Sequence, residues 1–293
     1  MEKWEGKVAI VTGGSLGIGA ECCKTLVDYG MIVIAVARTK LKMRHIEKSL
    51  ENSKGRYIPR VCNLFNEKDI INLFSSIEKE FGAIHVLVNM ASTGTMGNLM
   101  NDLDYLWDAT MELNVVAPAL CCKLAIENMQ KYNVKGHLIN IGGTASYYTS
   151  IFPSMHFYSL SKFILRAIGD GLRAEFRANN IDIRVTHIGP GHCKTGAMSR
   201  SGLTARAMLN VFEEYGTKTY GMSPEVIPDD SNLNMDGDEI YECDVLPALE
   251  KSDVVDYIVQ ALELPLGAEI MDIIMKPTDR RHSIYETDLY VKS

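Results

Sequence analysis

Thr12-Gly13-Gly14-Ser15-Leu16-Gly17-Ile18-Gly19 decides how this chain is read. It directly follows an apolar run, Lys7 to Thr12, and leads into a stretch of helical period, Ile18 to Tyr29, that closes at Gly30. Glycine tolerates positive φ and lets a backbone approach a pyrophosphate closely, while the free amides and dipole of a helix start favour negative charge. A glycine triplet alone also serves as a plain turn. Set between a first strand and a first helix, it predicts a dinucleotide phosphate loop.

On either side of that loop, strand-length apolar runs alternate with helical stretches, the pattern of a parallel sheet covered on both faces. Expected strands are Lys7–Thr12, Met31–Ala37, Tyr57–Cys62, His85–Asn89, Gly136–Ile141, Asp182–Ile188 and Met271–Met275. Expected helices cover Ile18–Tyr29, Leu41–Ser53, Glu67–Phe81, Leu103–Tyr132 with a break near Asn114, and Phe157–Asn179. Right-handed crossovers then give an α/β fold: a single-domain, Rossmann-type, doubly wound sheet of seven strands spanning residues 1–293, with ligands at the carboxyl ends of the strands. The rhythm stops after Ile188. Residues 189–249 carry Pro224, Pro228, Pro247 and an acidic run from Asp229 to Asp244, and are expected to form a substrate-binding lid or loop insertion. Asn234, Asp236, Gly237 and Asp238 mimic part of a calcium loop, but Asn232 and Cys243 stand where its first and twelfth ligands belong, so a solvated loop is expected instead.

Composition narrows the partners. The chain has 293 residues, 46% hydrophobic and 23% charged, the balance of a globular protein long enough to need no disulfide or metal staple. A net charge of −7 gives no electrostatic case for nucleic acid or an anionic membrane, and small molecules are the expected partners. The N-terminus, Met1-Glu2-Lys3-Trp4-Glu5, mixes charges and is read as no signal peptide; the longest strongly apolar run, Met31 to Ala37, is far short of the ~20 residues of a membrane span. Seven cysteines, with adjacent pairs at Cys22-Cys23 and Cys121-Cys122 and no Cys-x-x-Cys, suggest buried reduced thiols in a cytoplasmic protein, and the scattered histidines suggest no metal site.

Tyr158-Ser159-Leu160-Ser161-Lys162 places a phenol and an ammonium four residues apart, on one face of a helix. A phenol near pKa 10 is a poor proton carrier at neutral pH, and moving it by about three units takes about 4 kcal/mol of preferential stabilisation of the phenolate, part of which a nearby ammonium supplies.

The phosphate loop has the spacing G-x-x-x-G-x-G, and the chain resembles the short-chain dehydrogenase/reductase family. Asn89-Met90-Ala91-Ser92 resembles that family's N-N-A-G, Asn114 its helix-breaking asparagine, Tyr158 to Lys162 its Y-x-x-x-K, and Pro190-Gly191 with Thr195 its P-G-x-x-x-T nicotinamide loop. The matches fall in the family's order over Lys7 to Thr195. The resemblance implies that Tyr158 exchanges the proton, Lys162 lowers its pKa and holds the ribose, and Asn114 anchors a relay water. It implies cofactor contacts at Gly13, Ser15, Leu16, Gly17, Ile18, Gly19, Arg38, Thr39, Asn63, Leu64, Asn89, Ala91, Tyr158, Lys162, Pro190, Gly191 and Thr195. Where members that prefer NAD carry an aspartate, this chain has Arg38, whose guanidinium suits a 2′-phosphate, so the expected cofactor is NADP(H).

The family's substrate-orienting serine is missing: Gly142 and Gly143 stand at its place, leaving Thr144 or Ser146 to supply a hydroxyl. Losing a positioned oxyanion donor costs ~3 kcal/mol, which weakens turnover without abolishing it. Met1 to Gly13, His156-Phe157-Tyr158 and Ile273 to Thr278 resemble a branch of NADP-dependent farnesol dehydrogenases and 17β-hydroxysteroid or 3-ketosteroid reductases. This implies a hydrophobic alcohol or carbonyl substrate, in a pocket for which Met96, Tyr147, Tyr148, Phe152 and Met198 are candidates, and a homodimer or homotetramer assembled through helices 115–132 and 157–179. Gly143 leaves a second reading open, a catalytically silent NADP(H)-binding protein.

Overall fold

The computed structural model describes residues 1–94, 104–149, 155–195 and 248–278. Seven parallel strands form one sheet in the order β3-β2-β1-β4-β5-β6-β7. They are β1 (Val8–Thr12), β2 (Ile32–Ala37), β3 (Arg56–Val61), β4 (Val86–Asn89), β5 (His137–Ile141), β6 (Arg184–Pro190) and β7 (Asp272–Met275). Among the described residues the α-helices are α1 (Gly17–Asp28), α2 (Lys40–Ser49), α3 (Glu67–Phe81), α4 (Asp104–Met111), α5 (Ala117–Lys131), α6 (His156–Asn179) and α7 (Lys251–Glu263). The order reverses between β1 and β4, and a sheet of this kind opens its binding crevice there.

Every residue of β1, β4, β5 and β6 is buried, as strands covered on both faces must be. Side chains alternate between two cores. Ala9, Val11, Val33, Ala35, Val86 and Val88 pack with α1 and α7, whereas Val8, Ile10, Ile34, Val36, Leu87 and Leu138 pack with α3 and α5. The helix Trp107–Lys131 is long and apolar enough by composition to cross a bilayer, but its α5 part packs on α3 and β4.

The structure differs from the expectations in three places. The expected break near Asn114 is a π-helical turn, Glu112–Val116, through which α4 runs on into α5. The helix expected to reach Ser53 stops at Ser49. Helix α7, hidden behind the long unassigned stretch, begins at a reciprocal cap between Glu250 and Asp253 and buries Val254, Val255, Ile258 and Leu262. It is clamped from the N-terminus: the Trp4 indole N–H donates to the Leu262 carbonyl at 2.8 Å, and the Met1 ammonium pairs with Glu263. Of the expected lid, residues 196–247 lie outside the described residues. On either side of them, Cys193 and Leu249 form a parallel bridge.

Candidate active site

A cleft of about 600 Å³ opens at the carboxyl ends of the strands. At the end of β1, the Thr12 hydroxyl accepts from the Met90 and Ala91 amides at 3.0 and 3.1 Å and so sews β1 to the loop after β4. The glycine loop follows with φ of +73° at Gly13 and +56° at Gly17, backbone that a side chain resists. A β-carbon at Gly19 would meet the Gly13 carbonyl oxygen at 2.2 Å, so this turn closes only on bare backbone. The start of the twelve-residue α1 therefore faces the cleft, and Gly13, Ser15, Leu16, Gly17, Ile18 and Gly19 all line it. A helix start of this kind holds phosphate.

At the end of β2, Arg38 and Thr39 line the cleft, and the Arg38 guanidinium stands 5.8 Å from the Phe65 ring, a cation–π contact. Lys42, which the sequence reading missed, adds a second cation to the same wall. Its position one turn into the helix after Arg38 was the available signal. Leu64, Ala91, Pro190, Gly191 and Thr195 also line the cleft.

Asn63 and Asn89, also expected as cofactor contacts, stand outside that lining. Asn63 is exposed and accepts from the Phe65 amide, holding the turn whose neighbours Cys62, Leu64 and Phe65 form the wall. Asn89 is buried between strands, its amide donating to Asn140 Oδ1 at 3.0 Å and to the Pro118 carbonyl.

Helix α6 brings Tyr158 and Lys162 to the cleft on one face. Lys162 is 1% exposed, its ammonium lies 5.4 Å from the Tyr158 ring centroid, and burial pushes its pKa down to about 8. The start of α6 is held by Trp107 of α4, which stacks on Phe157 with centroids 5.3 Å apart.

Asn114 sits in the π turn and acts on the site through its neighbours. Its amide donates to the Thr93 carbonyl at 2.8 Å and to Ser161 Oγ at 3.0 Å, and its Oδ1 accepts from the Thr93 amide at 2.9 Å. Ser161 in turn donates to the Tyr158 carbonyl at 2.6 Å. With both side-chain N–H groups committed, the Asn114 side chain staples the β4 loop to the turn of α6 that carries Tyr158.

Gly143 faces the phenol. A β-carbon built there would lie 3.9 Å from the Tyr158 hydroxyl, but the backbone has φ +149°. Thr144 and Ser146, the two candidates for the missing hydroxyl, are both fully buried and stand outside the cleft lining. Ser146 Oγ and His187 Nε2 lie 2.2 and 2.4 Å from where a β-carbon of Gly142 would stand, so the serine is turned toward β6. Tyr147 and Tyr148, expected in a substrate pocket, are likewise not on the cleft wall, whereas Met90, Leu113 and Met155 give it apolar surface. Met96, Phe152 and Met198 lie outside the described residues.

The family described as short chain dehydrogenase matches residues 7–205. Dehydrogenase/reductase SDR family member 11 of Gallus gallus is 30% identical over 285 residues, 96% of this chain and 99% of that protein. Farnesol dehydrogenase of Aedes aegypti is 34% identical over 203 residues, 69% of this chain and 83% of that protein. Among solved structures, a metagenomic short-chain oxidoreductase in complex with NADP superimposes with a TM-score of 0.70 at 23% identity, covering 94% of this chain and 99% of that one.

Proposed function

The chain belongs to the short-chain dehydrogenase/reductase family of oxidoreductases, and from that premise we propose that it interconverts a hydrophobic alcohol and its carbonyl compound, of terpenoid or steroid kind, with NADP(H). The observation that carries this reading is one cleft that holds both a phosphate-binding helix start with two cations, Arg38 and Lys42, and the Tyr158–Lys162 pair. The α1 amides suit the pyrophosphate, Arg38 and Lys42 a 2′-phosphate, and Lys162 the nicotinamide ribose. When bound, the nicotinamide gives or takes a hydride at the substrate carbon.

The residues of the chain manage the proton. Tyr158 donates its hydroxyl proton to the carbonyl oxygen in reduction and takes it back in oxidation. Burial makes the Lys162 charge costly, and a phenolate on the Tyr158 ring, whose centroid lies 5.4 Å away, offsets that cost, so each group favours the ionised form of the other. Farnesol dehydrogenase among the relatives and the apolar wall of Met90, Leu113 and Met155 support a lipophilic substrate. Apolar side chains exposed on α6 and on the turn before α5, Leu160, Phe163 and Val116, support pairing with a second copy. Light scattering that gives only monomer overturns that part.

Gly143 favours a second reading, a protein that binds NADPH without turnover. Purified protein is assayed with NADPH against terpenoid, steroid and aliphatic carbonyls. Turnover that falls by about 10²-fold or more in Tyr158→Phe supports the enzyme. Tight NADPH binding with no turnover on any of them supports the silent protein.

A further inference from the structure

The turn that presents Gly143 to Tyr158 is braced from the far edge of the sheet. Tyr147, four residues after Gly143, folds its ring against bare backbone of β6: a β-carbon at Gly189 would lie 2.7 Å from Tyr147 Cε2 and 2.9 Å from the Gly143 carbonyl oxygen. The ring edge meets His187, with centroids 5.9 Å apart. Its hydroxyl donates to Asp272 Oδ1 on β7 at 2.9 Å, and its amide donates to the Thr144 carbonyl at 3.0 Å, closing the turn.

Asp272 also reaches α6. Arg166 Nε lies 3.5 Å from its Oδ1 and Arg173 Nη2 lies 4.0 Å from its Oδ2, while the Arg166 guanidinium covers the Tyr147 ring at 4.9 Å. Arg166 follows Lys162 by four residues and Tyr158 by eight, so the helix face that offers the phenol to the cleft continues into the groups that grip Asp272. One carboxylate therefore ties both walls of the reaction gap, the Gly143 turn and α6.

We infer that Tyr147 and Asp272 form a strut that sets the distance between Gly143 and the Tyr158 hydroxyl, which makes both of them positioning residues. The geometry of the strut stands on its own contacts; its effect on catalysis rests on the proton role of Tyr158 proposed above. Small displacements of reacting groups are costly in rate, so loss of the strut lowers kcat by about tenfold and leaves cofactor binding, made elsewhere in the cleft, unchanged.

Tyr147→Phe removes one hydroxyl and keeps the ring packed. Its kcat, its Kd for NADPH by fluorescence, and hydrogen–deuterium exchange of the 142–148 peptide are compared with the wild type. The strut requires a kcat about tenfold lower, an unchanged Kd and faster exchange confined to that peptide. Asp272→Asn, which keeps an acceptor for the phenol, is expected to restore part of the protection, while Asp272→Ala does not. Combining Tyr147→Phe with Asp272→Ala is expected to cost no more than Asp272→Ala alone, because both remove the same contact. Wild-type kcat or wild-type exchange in Tyr147→Phe overturns the inference. If the wild type turns over no substrate, the proposed activity fails separately, and the exchange measurement alone decides the strut.

Discussion

The Lys162 ammonium stands 5.4 Å from the ring of Tyr158, one turn along α6, with its own side chain 1% exposed. A charge so placed is a liability until an anion appears beside it. Burial lowers its pKa from 10.5 to about 8, a difference worth about 3 kcal/mol. Since the folded pKa lies below the unfolded one, the penalty is fully present below pH 8 and fades as the pH rises toward 10.5. Lys162→Met without cofactor is therefore expected to be more stable than the wild type at pH 7, with the gap narrowing between pH 8 and 10. Urea unfolding of both proteins across that range checks it, and a gap that stays constant contradicts it.

Arg38 and Lys42 occupy the same wall of the cleft, but only Arg38 has a planar fork for a phosphate, and the Phe65 ring holds it in place. Arg38→Asp replaces an attraction with a repulsion. The Kd for NADPH is expected to rise by at least about tenfold, and that for NADH to change far less. Fluorescence titration with both nucleotides measures the ratio; equal weakening shows that Arg38 does not meet the 2′-phosphate.

Much of this arrangement is legible in the sequence because it is local. The glycine loop, the strand rhythm and the four-residue spacing of Tyr158 and Lys162 each depend on neighbours in the chain, and the observed strands lie within two residues of their expected bounds. What escaped is set by distant partners. Ser146 Oγ and His187 of β6 both stand against the bare Gly142, and the Tyr147 hydroxyl donates to Asp272, 125 residues on. The π turn leaves no mark on apolar periodicity, so Asn114 reads as a break although the helix runs through it. Helix α7 did carry a signal, Glu250 and Asp253 before an apolar stripe, which the lost strand rhythm of the sequence before it obscured.

Gly143 offers a direct test of the missing hydroxyl. A β-carbon there meets nothing closer than the Pro190 carbonyl oxygen at 3.6 Å, so space is available, but φ +149° strains any side chain. Gly143→Ser and Gly143→Ala are both expected to lose about 1–3 kcal/mol of stability. Only the serine variant places a donor near the Tyr158 oxygen, and only it is expected to raise kcat. Thermal unfolding with steady-state kinetics separates the two effects, and an equal kcat in both variants shows that this face does not touch the reacting oxygen.

Asn114 is the remaining test, because its three bonds require an amide: two donors for Thr93 O and Ser161 Oγ, one acceptor for Thr93 N. Asn114→Asp keeps the acceptor and, when ionised, sets a buried carboxylate against the Thr93 carbonyl. That acid is disfavoured in its charged form, so its folded pKa lies above the ordinary carboxylate value of about 3.9. The variant is then most stable where the acid is protonated and loses stability as pH rises toward its folded pKa. At pH 8, Asn114→Asp is expected to fall below Asn114→Ala in stability, and at pH 5 to approach or exceed it. Because the staple also holds the Tyr158 carbonyl through Ser161, kcat is expected to fall in both variants while the Kd for NADPH holds. A pH-independent difference between the two would mean the position is open to water, and unchanged kcat would separate the staple from the chemistry of Tyr158.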